Sequence, residues 1–188
     1  MIAGRVYRQF KPKGRGVILR AMEWDDTDKL LRFINGLVHE KQRGKDSGVF
    51  TGFEEKLTRD EEADWVADQL VQLENKDMVG VVAEVEGSIV GVGQISRGHY
   101  RETRHHGELG LTVLGSYRGM GIGREMVKVL LREAKRIGLK SVDVEFLATN
   151  GAAASVYERA GFREVGRIPG KVNRERKLLD SMIMACKL

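Results

Sequence analysis

The chain has 188 residues, of which 41% are hydrophobic and 31% charged, a composition that suits one domain with a full core. No apolar run approaches the roughly 20 residues needed to cross a bilayer, and the single cysteine, Cys186, excludes an internal disulfide and reads as a buried small residue. The net charge of +5 is unevenly spread: residues 1–20 hold six basic and no acidic groups, whereas 21–90 hold 17 acidic against eight basic.

Residues 1–15, basic and punctuated by Gly4, Pro12 and Gly14, read as an extended or frayed arm, with residues 16–188 as one domain. Residues 17–20 make a short first strand. Asp25, Asp26 and Asp28 suit a helix start, and Leu30, Leu31, Ile34, Leu37 and Val38 give that helix one apolar face. Between 44 and 56, glycines and polar residues surround Phe50 and Phe53, which predicts a loop with aromatic anchors. Thr58-Arg59-Asp60-Glu61 fits a capping box, and Trp65, Val66, Leu70 and Leu73 continue the helix. Residues 78–85 and 89–95 are strand candidates joined at Glu86-Gly87-Ser88, and Gly91 and Gly93 predict a bulge or a close backbone approach.

Residues 108–114 have the apolar, β-branched content of another strand, and Met126, Val127, Leu130, Leu131 and Ala134 repeat at helical spacing up to Gly138. Residues 141–147 form the next strand. Asn150 is placed to cap a short helix that Gly161 ends. Residues 162–168 and 178–185 are the last strands, separated by a basic loop at 170–177. The order of elements is that of a mixed α/β domain.

The stretch 107–125 carries the chemistry. A strand enters a helix through Gly119, Gly121 and Gly123, so backbone N–H groups at the helix start can converge on an anion, aided by the helix dipole. Residues 91–140 hold ten basic and four acidic groups, as a polyanion would favour. The phosphate loop of nucleotide hydrolases needs Gly-Lys-Ser/Thr, but Arg124 and Glu125 follow Gly123. A dinucleotide fingerprint needs glycine where Arg124 or Met126 stands. The basic residues lack interleaved aromatics, so no nucleic-acid surface is expected. No His, Cys or carboxylate set has zinc spacing, so no metal is expected. Charges occupy the place of a signal's apolar region, which predicts a cytoplasmic location.

Arg118-Gly119-Met120-Gly121-Ile122-Gly123 resembles the R/Q-x-x-G-x-G/A signature by which GNAT acetyltransferases hold the pyrophosphate of acetyl-CoA. Asn150-x-x-Ala153-x-x-Val156-Tyr157-Glu158-Arg159-x-Gly161-Phe162 resembles a second segment of the same family, in the expected order and spacing. The resemblance runs from Val17 to the end and is only an outline in the acceptor-binding half. It implies an α/β fold with a mixed, largely antiparallel sheet, a splayed central parallel strand pair and helices on both faces. It implies acetyl-CoA as donor, with Leu111, Thr112 and Val113 offering main-chain groups to the pantetheine, Gly119 to Arg124 holding the pyrophosphate, and Asn150 orienting the arm. Members are often homodimers.

Acetyl transfer requires a neutral amine, a stabilised oxyanion and a leaving group for the CoA sulfur. A lysine-like amine of pKa about 10.4 is neutral about once in 2,500 molecules at pH 7, so a base is needed. Glu108 and Glu145 stand where some members of the family carry a relaying carboxylate, and each is equally readable as a solvated or ion-paired glutamate. The resemblance gives Tyr157 the role of acid toward the thiolate, and the N–H of Val113 that of oxyanion donor. His105 and His106 read as a surface pair or as acceptor lining. The expected acceptor site comprises residues 44–56, 97–106 and 170–177; Arg97, Arg101 and Arg104 suit an acidic acceptor group but read better as a solvated loop. The expected acceptor is the primary amine of a small amino compound, with a protein α-amine or lysine as runner-up and an acyl-CoA-binding module without turnover as the non-enzyme reading. The acidic stretch 54–68 suits a cationic acceptor or is a solvated helix face.

Overall fold

Alternation along one strand decides the architecture. The computed structural model describes residues 2–42, 55–174 and 176–188. In β3 (Met78–Val85), Val79, Val81, Ala83 and Val85 enter one core while Met78 and Val82 enter another, as a period of two requires. A strand buried on both faces needs helices over each. With β1 (Val6–Phe10), β2 (Val17–Arg20), β4 (Ser88–Arg97), β5 (His106–Val113), β6 (Ser141–Leu147), β7 (Arg163–Arg174) and β8 (Lys177–Lys187), it forms one sheet of order β1-β2-β3-β4-β5-β6-β8-β7. All described neighbours are antiparallel except β5 and β6.

Helices α1 (Thr27–Gln42) and α2 (Arg59–Glu74) cover one face through Leu30, Phe33, Val66 and Leu73. Helices α3 (Ile122–Arg136) and α4 (Gly151–Arg159) cover the other through Met126, Leu130 and Tyr157. The mixed sheet with a parallel pair and two helical layers is the architecture expected from the sequence. None of the helices among the described residues is long and apolar enough to cross a membrane.

Local chemistry explains the boundaries. Thr58 Oγ1 accepts from the Glu61 N–H at 3.4 Å, and the Glu61 carboxylate accepts from the Thr58 N–H at 2.8 Å, which starts α2. Glu86 and Gly87 both take positive φ, 49° and 77°, in the two-residue turn between β3 and β4. Gly91 lies beside the register shift between Ala83 and Glu84, so the bulge is present. At Gly93 a Cβ would stand 2.8 Å from Leu111 Cδ1, so a side chain rather than a neighbouring backbone crowds this glycine.

Three expectations need correction or lie outside the described residues. The first arm is extended but not frayed over Val6–Phe10, which pair with β2. The expected loop at 170–177 is largely strand: β7 runs to Arg174, β8 starts at Lys177 and these two residues pair, with Pro169 accommodated where the register shifts between Ile168 and Val172 on the edge strand. Most of the predicted loop at 44–56 lies outside the described residues. Asp26 is a helix-start acid as expected, its carboxylate accepting from the Glu23 N–H at 3.0 Å, and it is also buried, with a bidentate pair from Arg20 at 2.6 Å for both contacts.

Candidate active site

The parallel pairing of β5 and β6 covers only His106–Leu109 against Ser141–Val144. Beyond it, Gly110–Val113 stay bonded to β4 while Glu145–Leu147 stay bonded to β8, so the two strands part. At the closed end, His106 spans both strands, with Nδ1 2.8 Å from Ser141 Oγ and Nε2 2.7 Å from Asp143 Oδ1. The open end leads through a 3₁₀ turn at Gly115–Tyr117 into the glycine run.

Gly119 and Gly121 adopt φ of 71° and 78°, the left-handed region that costs an L side chain about 1–2 kcal/mol. Gly121 is the N-cap of α3 and has no side chain to cap with. The first intrahelical bond runs from the Glu125 N–H to the Gly121 carbonyl at 3.2 Å. The N–H groups before it have no helical acceptor by geometry and point out of the helix start. A phosphate fits such a place.

A cleft of about 310 Å³ opens here, lined by Leu111, Thr112, Val113, Arg118, Gly119, Gly121, Ile122, Gly123, Arg124, Asn150 and Tyr157 among others. The structure therefore brings together almost all the residues expected to hold the cofactor. Met120, whose N–H belongs to the same run, packs its side chain on the core. The side chain of Arg118 is a brace: Nε donates to the Val113 carbonyl at 2.8 Å and Nη2 to Glu40 at 3.1 Å. Glu40 also accepts from the Gly115 N–H at 2.7 Å, so the end of α1 fixes the turn. Asn150 Oδ1 accepts from the Ala153 N–H at 3.0 Å and so caps α4, as expected.

Tyr157 is buried between Phe146 and Phe162, with ring centroids 5.3 and 5.6 Å away. Burial pushes its phenol up to about 12, so it holds its proton throughout the neutral range. Glu108 is exposed and lies beside Asp143 in register. Burial tends to raise the Glu145 carboxyl, but Lys171, 2.5 Å away, outweighs it and holds the group below its ordinary range. Neither glutamate lines the cleft with Tyr157.

A second cavity, of about 470 Å³, lies between α1, α2 and the sheet. It is lined by Leu30, Phe33, Ile34 and Leu37 from α1, Glu61, Glu62 and Trp65 from α2, and Gln94, Gly110, Leu111 and Thr112 from the sheet. Leu111 and Thr112 belong to both cavities, which meet across β5 where it leaves β6. Glu62 is only 4% exposed, and burial alone pushes its carboxyl up to about 7. Sequence reasoning missed this residue, because the acidic start of α2 reads as capping and solvent.

Arg97 and Arg104 do not face this cavity. Arg97 donates to the Lys76 and Ile137 carbonyls and to that of Arg104, and Arg104 pairs with Asp77, so these cations tie the 97–106 connection down. They act as braces rather than as acceptor lining.

The acetyltransferase (GNAT) family model matches residues 39–162. Solved structures share the fold at low identity. A ribosomal-protein-alanine N-acetyltransferase from Brucella melitensis is 23% identical, with 90% of this chain and 99% of that one covered and a TM-score of 0.76. A GNAT-family acetyltransferase from Streptococcus pneumoniae is 21% identical, over 92% and 99%, with a TM-score of 0.79. A ribosomal alpha-N-protein acetyltransferase in complex with coenzyme A is 14% identical, over 96% and 98%, with a TM-score of 0.77.

Proposed function

We propose that this chain, which belongs to the acetyltransferase (GNAT) family, moves an acetyl group from acetyl-CoA to the primary amine of a small amino compound. Acetyl-CoA is the acyl donor and supplies a thioester whose carbonyl carbon an amine can attack. The observation that carries the small-amine reading is the meeting of two cavities on Leu111 and Thr112, one glycine-rich and one apolar. A cavity of about 470 Å³ suits a compact body better than a folded partner.

Each residue then has a defined task. The N–H groups from Gly119 to Arg124 grip the diphosphate, and Arg118 with Glu40 holds their loop in place. Main-chain groups of Leu111, Thr112 and Val113, free of β6, receive the pantetheine arm, with the Val113 N–H toward the developing oxyanion. Asn150 orients the arm from the start of α4. Tyr157 presents its O–H to the departing sulfur. A phenol near 12 is a weaker acid than a thiol near 8.5. The O–H therefore stabilises the thiolate chiefly by hydrogen bonding as charge develops. Of the two glutamates expected to relay protons, Glu145 is held by Lys171, and Glu108, with no ion pair among the described residues, lines neither cavity.

Calorimetric titration with acetyl-CoA, followed by a thiol-release assay over small amines and a peptide with a free N-terminus, tests this reading. Release with small amines is the expected result, and release only with the peptide transfers the assignment to protein α-amines. Binding without release for any amine leaves an acyl-CoA-binding module, and no binding removes the donor assignment.

A further inference from the structure

We propose that Glu62 receives the acceptor's ammonium group and removes its proton, and that the acceptor is a small primary monoamine with an apolar body and no second charge. The inference rests on the acetyl-transfer reading and deepens it by naming the acceptor class.

Among the described residues, Glu62 has no capping or ion-pairing task that accounts for its burial. The capping of α2 is served by Thr58 and Glu61, whose carboxylate turns back to Thr58 at 2.8 Å. Among the described residues, no cation or hydrogen-bond donor is recorded at the Glu62 carboxylate, although the residue is only 4% exposed. The carboxylate opens on the cavity and is otherwise withdrawn from solvent, and a cationic ligand there is the partner that would offset the cost of holding a charge in that place. The group lines the same cavity as Gly110 and Thr112, on the strand where the donor cleft begins.

The walls define the rest of the ligand. Phe33, Ile34, Leu37, Trp65 and Val92 make an apolar surface, and no basic residue is among the described lining. A substrate carboxylate would meet Glu62 without a countercharge, and a second ammonium would be desolvated without one. Amino acids and polyamines are thus disfavoured relative to a monoamine.

The charged groups around Glu62 leave its titration to burial. From α1 the cavity receives apolar side chains, and from β4 and β5 it receives Gln94 and Thr112. On α2, Glu61 is held by Thr58, and Arg59 pairs outward with Asp28 at 2.8 Å. Asp26, in the turn before α1, is taken by Arg20. A carboxyl moved from 4.5 to about 7 accepts an ammonium proton roughly 300-fold more favourably than an ordinary glutamate.

The protons balance. Glu62 takes one from R–NH3+, and the nitrogen lone pair then attacks the thioester carbon, forming C–N as C–S breaks. The second nitrogen proton leaves as the tetrahedral intermediate collapses, and the thiolate, held by a hydrogen bond from the Tyr157 O–H, takes one proton from solvent in its place and departs as the thiol. Glu62 returns its proton to solvent, for a net release of one proton per amide.

The test compares wild type, Glu62→Gln and Glu62→Asp with 2-phenylethylamine, phenylalanine and putrescine. Binding is read without acetyl-CoA from the fluorescence of Trp65, and turnover from thiol release. We expect kcat/KM for 2-phenylethylamine to exceed those for phenylalanine and putrescine by at least about tenfold. Glu62→Gln should lower it by at least about tenfold at neutral pH and abolish the inflection near 7, the deficit shrinking toward the amine's own pKa, while Glu62→Asp keeps an inflection. Amine binding should fall in Glu62→Gln, with the KM for acetyl-CoA unchanged. Unaltered kcat/KM and pH profile in Glu62→Gln, or a preference for phenylalanine or putrescine, overturns the proposal. If no amine is acetylated, the transferase reading fails, and the fluorescence titration still decides: loss of amine binding in Glu62→Gln upholds the ammonium site, and unchanged binding removes it.

Discussion

Glu62 and Tyr157 are both buried acids whose protons burial holds in place, yet the consequences for stability and rate differ. The folded state binds the Glu62 proton more tightly than the unfolded chain does, because its pKa rises from 4.5 to about 7. The unfolded chain therefore holds fewer protons between those values, and stability falls as pH rises through that window, by at most about 3 kcal/mol above pH 7. Glu62→Gln should remove this loss. Melting curves should show the variant gaining several degrees on wild type as pH rises from about 4.5 to about 8; a difference independent of pH would mean that Glu62 is not protonated in the fold. Tyr157→Phe keeps the ring packing against Phe146 and Phe162 but removes the donor. We expect kcat to drop by about 10²-fold, with the calorimetric affinity for acetyl-CoA nearly unchanged. Equal losses in both would assign the tyrosine to packing.

At the scale of elements, the cradle depends on contacts from a distant helix. Gly119 and Gly121 have open space at the Cβ position, so an alanine there is penalised by backbone conformation rather than collision. Gly121→Ala should cost about 1–2 kcal/mol of stability and weaken acetyl-CoA binding, since the N–H groups would no longer converge. Glu40, at the end of α1, holds both the Gly115 N–H and Arg118. Replacing it with alanine should lower acetyl-CoA affinity by about tenfold through the loosened turn, because a buried or half-buried charge-assisted bond contributes about 1.5–3 kcal/mol. Titration of acetyl-CoA into Glu40→Ala checks this, and an unchanged Kd would show that the glycines hold the loop unaided. The turns that carry local signals, such as Thr58 to Glu61 and Glu86-Gly87, were legible because a few consecutive residues determine them. The 170–177 segment was not: Pro169 and Gly170 suggest a loop, and only the pairing of an edge strand with β8 reveals a hairpin.

The same division holds for the whole molecule. The cleft at the glycine run, proposed as the donor site, was legible as a place because its loop is contiguous and its glycines have a local geometric cause. The acceptor cavity was not, because Glu62 and Trp65 meet Gly110 and Thr112 only when α2 packs on the sheet, and nothing near Glu62 in the sequence marks it as buried. His106 was hidden likewise, since its partners Ser141 and Asp143 arrive with the crossover to β6. The two cavities should also differ in their response to salt. The donor site faces a polyanion with helix-start N–H groups and the exposed Arg124, so its attraction is screened once the Debye length falls from about 10 Å at 0.1 M toward about 3 Å at 1 M. The acceptor cavity is apolar and its carboxylate is buried, so screening reaches it weakly. Raising salt should therefore weaken acetyl-CoA binding by roughly tenfold while leaving 2-phenylethylamine binding, followed by Trp65 fluorescence, within about twofold. Salt-insensitive acetyl-CoA binding would show that fixed dipoles rather than net charge hold the diphosphate, and a parallel loss of amine binding would place Glu62 in contact with solvent.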